Sequence, residues 1–117
     1  MTWEELLEHC LAKPGAWRDE PWDGDVAVKV GPKIFAFLGS LDRTPPAVGL
    51  KCGANRDAAD EWLLRYPADV TVMPYIGRSG WNTLSTGGAI PDDEVIEAID
   101  ASYATVVSKL PKKDRPA

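Results

Sequence analysis

The sequence predicts an α+β domain of two layers: an antiparallel five-stranded sheet packed by helices, in the order α-β-β-β-α-β-β-α. Three observations carry this reading. Apolar residues recur at helical spacing in some segments and alternate with period two in others. The links between neighbouring strand-like segments are of hairpin length, which antiparallel strands accept and parallel ones do not. No apolar run approaches the roughly 20 residues of a membrane-spanning helix.

Thr2 and Glu5 have the spacing of a capping box, and Trp3, Leu6, Leu7, Cys10 and Leu11 follow at helical intervals until Pro14-Gly15 ends the run. The stretch AWRDEPWDG, residues 16–24, mixes Pro, Gly and acids with two Trp and has no period, so an ordered connection is expected there. In DVAVKVGPKIFAFLG a two-residue loop, Gly31-Pro32, places Val30 opposite Lys33, Val28 opposite Phe35 and Val26 opposite Phe37. That register turns Val26, Val28, Phe35 and Phe37 to the core and Ala27, Lys29, Ile34 and Ala36 outward.

The prolines of LDRTPP make a loop, and AVGLKC resumes alternation with Val48, Leu50 and Cys52 on one side and Ala47, Gly49 and Lys51 on the other. Asn55 caps a second helix carrying Ala59, Trp62, Leu63 and Tyr66, and Pro67 closes it. VTVMPYI and WNTLS are two further strands joined by the turn-like GRSG. Pro91 opens a last helix of about twenty residues, with Val95, Ile99, Val106 and Leu110 inward and Pro111 as its stop. Residues 1–111 are thus a single domain, and residues 112–117 a flexible basic tail.

At 117 residues the chain buries roughly 65% of its unfolded surface, enough for a core without staples. Thirteen Lys and Arg against eighteen Asp and Glu leave a net charge of −5, which works against nonspecific attraction to nucleic acid or anionic membrane. The N-terminus carries acids where a signal peptide carries bases, so a cytoplasmic protein without membrane contact is expected. Cys10 and Cys52 face inward and read as free thiols. The single histidine, His9, reads as a solvated helix residue; no metal site, cofactor or base-activated nucleophile is expected, hence no enzyme. The glycines of STGGAIPDDE do not make a phosphate cradle, because Asp92, Asp93 and Glu94 already place negative charge at the helix start.

The outward sheet face remains as the candidate site. Lys29 and Lys51 lie there beside Ala27, Ala36 and Gly49, with Lys33 at the hairpin and Arg78, Trp81 and Asn82 near the start of the last strand. Lysine and arginine can hold backbone phosphate, Trp81 can stack a base and Asn82 can read an edge. The four cations set a salt slope no steeper than about −3.6 on duplex DNA, so such binding is weak.

The blocks TWEELLEHCLAKPGA, VAVKVGPKIFAFL, PPAVGLKC and WNTLSTGGAIPDDEVIEAIDASYATVV, in this order, resemble those of the YjbR/MmcQ-type family of small bacterial proteins. The resemblance implies an α-β3-α-β2-α fold, CyaY-like or secretion-chaperone-like, with a "double wing" for nucleic acid and a DNA-binding label but no established activity. Two departures fall on the candidate face: Gly49 stands where the family commonly has Asn, and Gly80 where His precedes the Trp. The expectation is therefore a monomeric, non-enzymatic module that contacts DNA weakly, or alternatively a protein-interaction or chaperone-like module that binds no nucleic acid.

Overall fold

The computed structural model describes residues 1–116. Three helices, α1 (Trp3–Leu11), α2 (Arg56–Arg65) and α3 (Asp92–Ser108), accompany six strands: β1 (Ala16–Trp22), β2 (Asp25–Val30), β3 (Lys33–Gly39), β4 (Ala47–Lys51), β5 (Val70–Val72) and β6 (Trp81–Ser85). They form one sheet in the order β1-β2-β3-β4-β6-β5, antiparallel throughout. The α+β class and the antiparallel sheet are as expected; the five-stranded count is corrected to six.

The additional strand is β1, in the segment expected to be a connection. It runs beside β2 from Ala16↔Val30 to Asp19↔Ala27, breaks register and closes at Trp22↔Asp25. An edge strand pairs on one side only, so it tolerates Pro21 and needs no apolar alternation; most of its residues are exposed. The C-terminal part of VTVMPYI also differs from expectation. Only Val70–Val72 is strand beside β6; the Met73 amide adds one bond to the Trp81 carbonyl at 3.2 Å, after which the chain leaves the sheet and enters a 3-10 turn at Gly77–Ser79.

The β2–β3 hairpin begins as its turn dictates, with Val30↔Lys33 and Lys29↔Ile34, but two irregularities then shift the partners to Val28↔Ala36, Ala27↔Phe37 and Val26↔Gly39. The expected pairs Val28–Phe35 and Val26–Phe37 are thereby corrected. Each shift inserts one unpaired residue into β3, Phe35 and then Leu38, and each reverses which face the following side chains take. Ala36 joins the core, and Phe37 turns to the face away from the helices.

The helices supply partners for the backbone carbonyls at these bulges. Ser102 of α3, fully buried, donates to the Phe35 carbonyl at 2.6 Å and accepts from the Lys51 amide at 3.0 Å. The Trp3 indole of α1 donates to the Leu38 carbonyl at 3.2 Å. A buried carbonyl left without a donor costs about 1–3 kcal/mol, so these two side chains hold the shifted register in place.

All three helices lie on one face. α3 crosses β3 and β4, α1 packs on β1 to β3, and α2 on β5 and β6. The core between the layers contains Leu6, Phe35, Leu38, Leu50, Leu84 and Ile99, all fully buried, and each contributes about 1.5–3 kcal/mol of apolar burial. The expected caps are present: Thr2 and Glu5 close a capping box, and Asn55 accepts the Ala58 amide at 3.0 Å. His9 is not simply solvated as expected. It bonds Asp100 of α3 at 2.8 Å beside Lys13 at 2.6 Å, tying α1 to α3. Among the described residues no helix is long and apolar enough to cross a membrane.

Candidate functional site

The face away from the helices carries a groove of about 420 Å³. Ile34 and Phe37 belong to its sheet floor, Trp22 of β1 stands on one side, and Met73 to Ile76 stand on the other with Trp81 at one end. The Trp22 and Phe37 rings meet edge to face at 6.2 Å. Sequence reasoning expected lysines over tiny side chains on this face; the register shift at Phe35 replaces that surface with an aromatic one.

Gly49 explains how residues 73–76 come to lie over the sheet. A Cβ at that position would sit 2.5 Å from the Met73 sulfur, so the bare glycine is what lets Met73 rest on the strand. At Gly80 the backbone takes φ +102°, and a Cβ would approach the Gly53 carbonyl to 2.7 Å, so no side chain fits the turn into β6. Tyr75 adopts φ +67° and holds its ring fully exposed at the rim. A left-handed backbone is unusual for an aromatic residue and persists only where its surroundings fix it.

Arg56 of α2 pins this loop from behind. Its guanidinium donates to the Gly77 carbonyl at 2.8 Å, to the Trp81 carbonyl at 3.3 Å and to the Asn82 side-chain oxygen, while Asp60 holds its Nε at 2.7 Å.

A second, smaller pocket of about 180 Å³ adjoins the groove and shares Ile34 and Trp81 with it. It opens where β3 and β4 diverge, because their ladder holds only Ala36↔Leu50 and Phe37↔Gly49. Lys33 and Lys51 come from the two strands, and Thr105, Val106, Lys109 and Leu110 from the end of α3. Among the described residues no carboxylate lines it. Lys51 is only 8% exposed, and burial, with the nearby Lys109 charge second, holds its ammonium below the ordinary lysine range.

The six residues singled out from sequence separate. Lys33, Lys51 and Trp81 come together at the pocket. Arg78 is exposed on the 3-10 turn. Lys29 does face outward, but it is paired with Asp19 at 2.7 Å and lies over the Trp17 ring at 5.3 Å, so its charge is largely answered. Asn82 is corrected to the inner face: its partner in register is Leu50, it is fully buried, and its amide donates to the Ala59 carbonyl at 2.9 Å. Alternation from Trp81 places it there, since successive strand residues take opposite faces. Sequence reasoning missed Trp22, Met73, Tyr75, Arg56 and Lys109; only Trp22 had a legible signal, in the Asp23-Gly24 turn that follows it.

Both thiols are inert packing groups. Burial pushes Cys10 up to about 12 and Cys52 up to about 11. Among the described residues no cluster of His, Cys, Asp and Glu could hold a metal ion.

A small α+β domain with its helices on one sheet face and an open aromatic groove on the other defines the class. The family model described as YjbR matches residues 11–105. The chain is 33% identical over 116 residues to the uncharacterized protein YjbR of Escherichia coli (strain K12), covering 98% of this chain and 95% of that protein, and the YjbR protein of Escherichia coli O157:H7 matches to the same extent. The chain belongs to the YjbR family. The crystal structure of Deinococcus radiodurans protein DR2400, family-model domain DUF419, has the same fold, with a TM-score of 0.84, 21% sequence identity, and coverage of 97% of this chain and 84% of that chain.

Proposed function

We propose that this protein is a non-enzymatic binding module, acting as a cytoplasmic monomer, whose outer sheet face takes single-stranded nucleic acid weakly. The observation that carries this reading is the adjacency of the two recesses: an aromatic groove shares Trp81 and Ile34 with a lysine pocket that, among the described residues, no carboxylate lines. Flat bases suit the groove, at about 1–3 kcal/mol for each base stacked on an aromatic ring, and backbone phosphate suits Lys33, Lys51 and Lys109. Duplex DNA suits the face less well. Lys29 is already paired with Asp19, Asn82 is buried, and the net charge is −5.

Titration of labelled oligonucleotides tests the reading. Three phosphate contacts give a salt slope near −2 on single strands at about 0.7 per contact, hence about 20-fold weaker binding at roughly 200 mM than at roughly 50 mM salt. Trp81→Ala and Lys33→Glu each weaken binding, and only Lys33→Glu flattens the slope. Absence of salt-sensitive, Trp81-dependent binding to single strands refutes it.

A second reading, a protein-interaction module, is favoured by the groove's almost wholly apolar lining, in which Asp25 is the only charged residue among those described, and by the exposed Trp22 and Tyr75 at its rim. In that case an apolar peptide segment fills the groove, binding is insensitive to salt, and Lys33→Glu is silent.

A further inference from the structure

The lysine pocket is built differently from a surface that tracks a strand. Three lysines, Lys33, Lys51 and Lys109, line about 180 Å³, whereas an internal phosphodiester brings one negative charge. Lys51 Nζ has three donors, and among the described residues the Ser79 carbonyl is its one acceptor, which leaves two free to point at a ligand. Lys33 and Lys109 are exposed and make no ion pair among the described residues. Thr105 adds a hydroxyl to the lining.

A helix C-terminus at this corner ought to repel an anion, since its unpaired carbonyls carry partial negative charge. Here that end is answered. Arg115 folds back and donates to the Leu110 carbonyl at 2.8 Å and to the Ser108 carbonyl at 3.0 Å. Thr105, Val106 and Lys109 at the end of α3 line the pocket together with Trp81, so a strand entering from the groove past Trp81 meets helix side chains.

We infer that Lys33, Lys51 and Lys109 form a site for a phosphate monoester, the terminal phosphate of a strand or mononucleotide whose bases lie in the aromatic groove. A monoester brings a charge of about −1.5 to −2 at pH 7 and three acceptor oxygens, matching the donors better than a diester does. The inference rests on the nucleic-acid reading for the groove, and it converts a strand-tracking surface into an end-binding one.

Label-free calorimetry with an oligothymidylate of about ten nucleotides, carrying phosphate at its 5′ end, at its 3′ end or at neither, tests it at roughly 50 mM salt. A phosphate at one or both ends tightens binding about tenfold, as one or two added charge-assisted hydrogen bonds would. Inorganic phosphate competes for the gain, and in the Lys33→Gln/Lys109→Gln variant the ratio of phosphorylated to unphosphorylated affinity falls to near one. Equal affinity with and without the terminal phosphate overturns the inference, as does a gain that survives in the double variant. Trp81-dependent binding of the unphosphorylated strand without any phosphate gain removes the end site and keeps the strand reading. Inorganic phosphate or thymidine monophosphate bound by wild type and not by the double variant, with no strand bound, keeps the pocket and removes the strand reading.

Discussion

Replacing Asn82 with Ala separates a structural amide from a ligand-reading one. The amide donates to the Ala59 carbonyl of α2 at 2.9 Å and accepts from the Arg56 guanidinium, with no exposed surface of its own. Truncation removes the Asn82 bond to the Ala59 carbonyl, which keeps its helical partner, at about 1 kcal/mol for a neutral bond, and strips a charge-assisted bond from Arg56, at about 1.5–3 kcal/mol. The Arg56 side chain is 24% exposed, so water recovers part of the second loss. The expected cost is therefore about 3 kcal/mol, or a fall in Tm of roughly 10–15 °C for a domain of this size.

Urea unfolding followed by tryptophan fluorescence measures the change, with an unaltered m value showing that the same cooperative unit is being read. In an Arg56→Ala background the Asn82→Ala cost shrinks, giving a coupling of about 1–2 kcal/mol between the pair. A destabilisation below about 1 kcal/mol, accompanied by loss of oligonucleotide binding, would put Asn82 on the ligand side and refute the assignment.

Two further outcomes follow from the packing and the thiols. Gly49→Ala places a methyl 2.5 Å from the Met73 sulfur and 3.3 Å from the Phe37 Cβ; overpacking of this kind costs about 1–3 kcal/mol, and thermal melts of Gly49→Ala/Met73→Ala should recover most of it, whereas no recovery means that Met73 is not the obstacle. Folding raises the Cys10 thiol from 9.0 to about 12 and the Cys52 thiol from 9.0 to about 11, so the folded chain holds these protons more tightly than the unfolded one. Their contribution is complete below pH 9.0 and is lost as pH rises through that window. Urea midpoints should fall less steeply above pH 9.0 in Cys10→Ala/Cys52→Ala than in wild type, and identical slopes would sink the claim.

The helices and the inner face of β4 were legible from sequence because each obeys one period without interruption. Asn55, Ala59 and Tyr66 mark a capped helix, and Val48 with Leu50 mark a strand whose alternate residues are Gly49 and Lys51. β1 was not legible, because an edge strand with one partner leaves Arg18, Asp19, Glu20 and Pro21 free to be polar or to lack a donor. Its one usable sign was the Asp23-Gly24 pair between Trp22 and Asp25, a two-residue turn of the commonest hairpin type.

The groove was hidden for a different reason. Starting from a correct turn at Gly31-Pro32, strict alternation sends Phe37 to the core, and nothing local to FAFLG contradicts it. The extra residue at Phe35 is held by Ser102, far along the chain, which donates to the Phe35 carbonyl and accepts from the Lys51 amide, and the one at Leu38 by the Trp3 indole, which donates to the Leu38 carbonyl. One inserted residue then moves Phe37 to the outer face, where Trp22 meets it and Met73 crosses above Gly49. The divergence of β3 from β4 at the same place opens the lysine pocket between Lys33 and Lys51. Both recesses of the candidate site thus have their origin at one bulge, whose stabilising partners are side chains of the opposite layer.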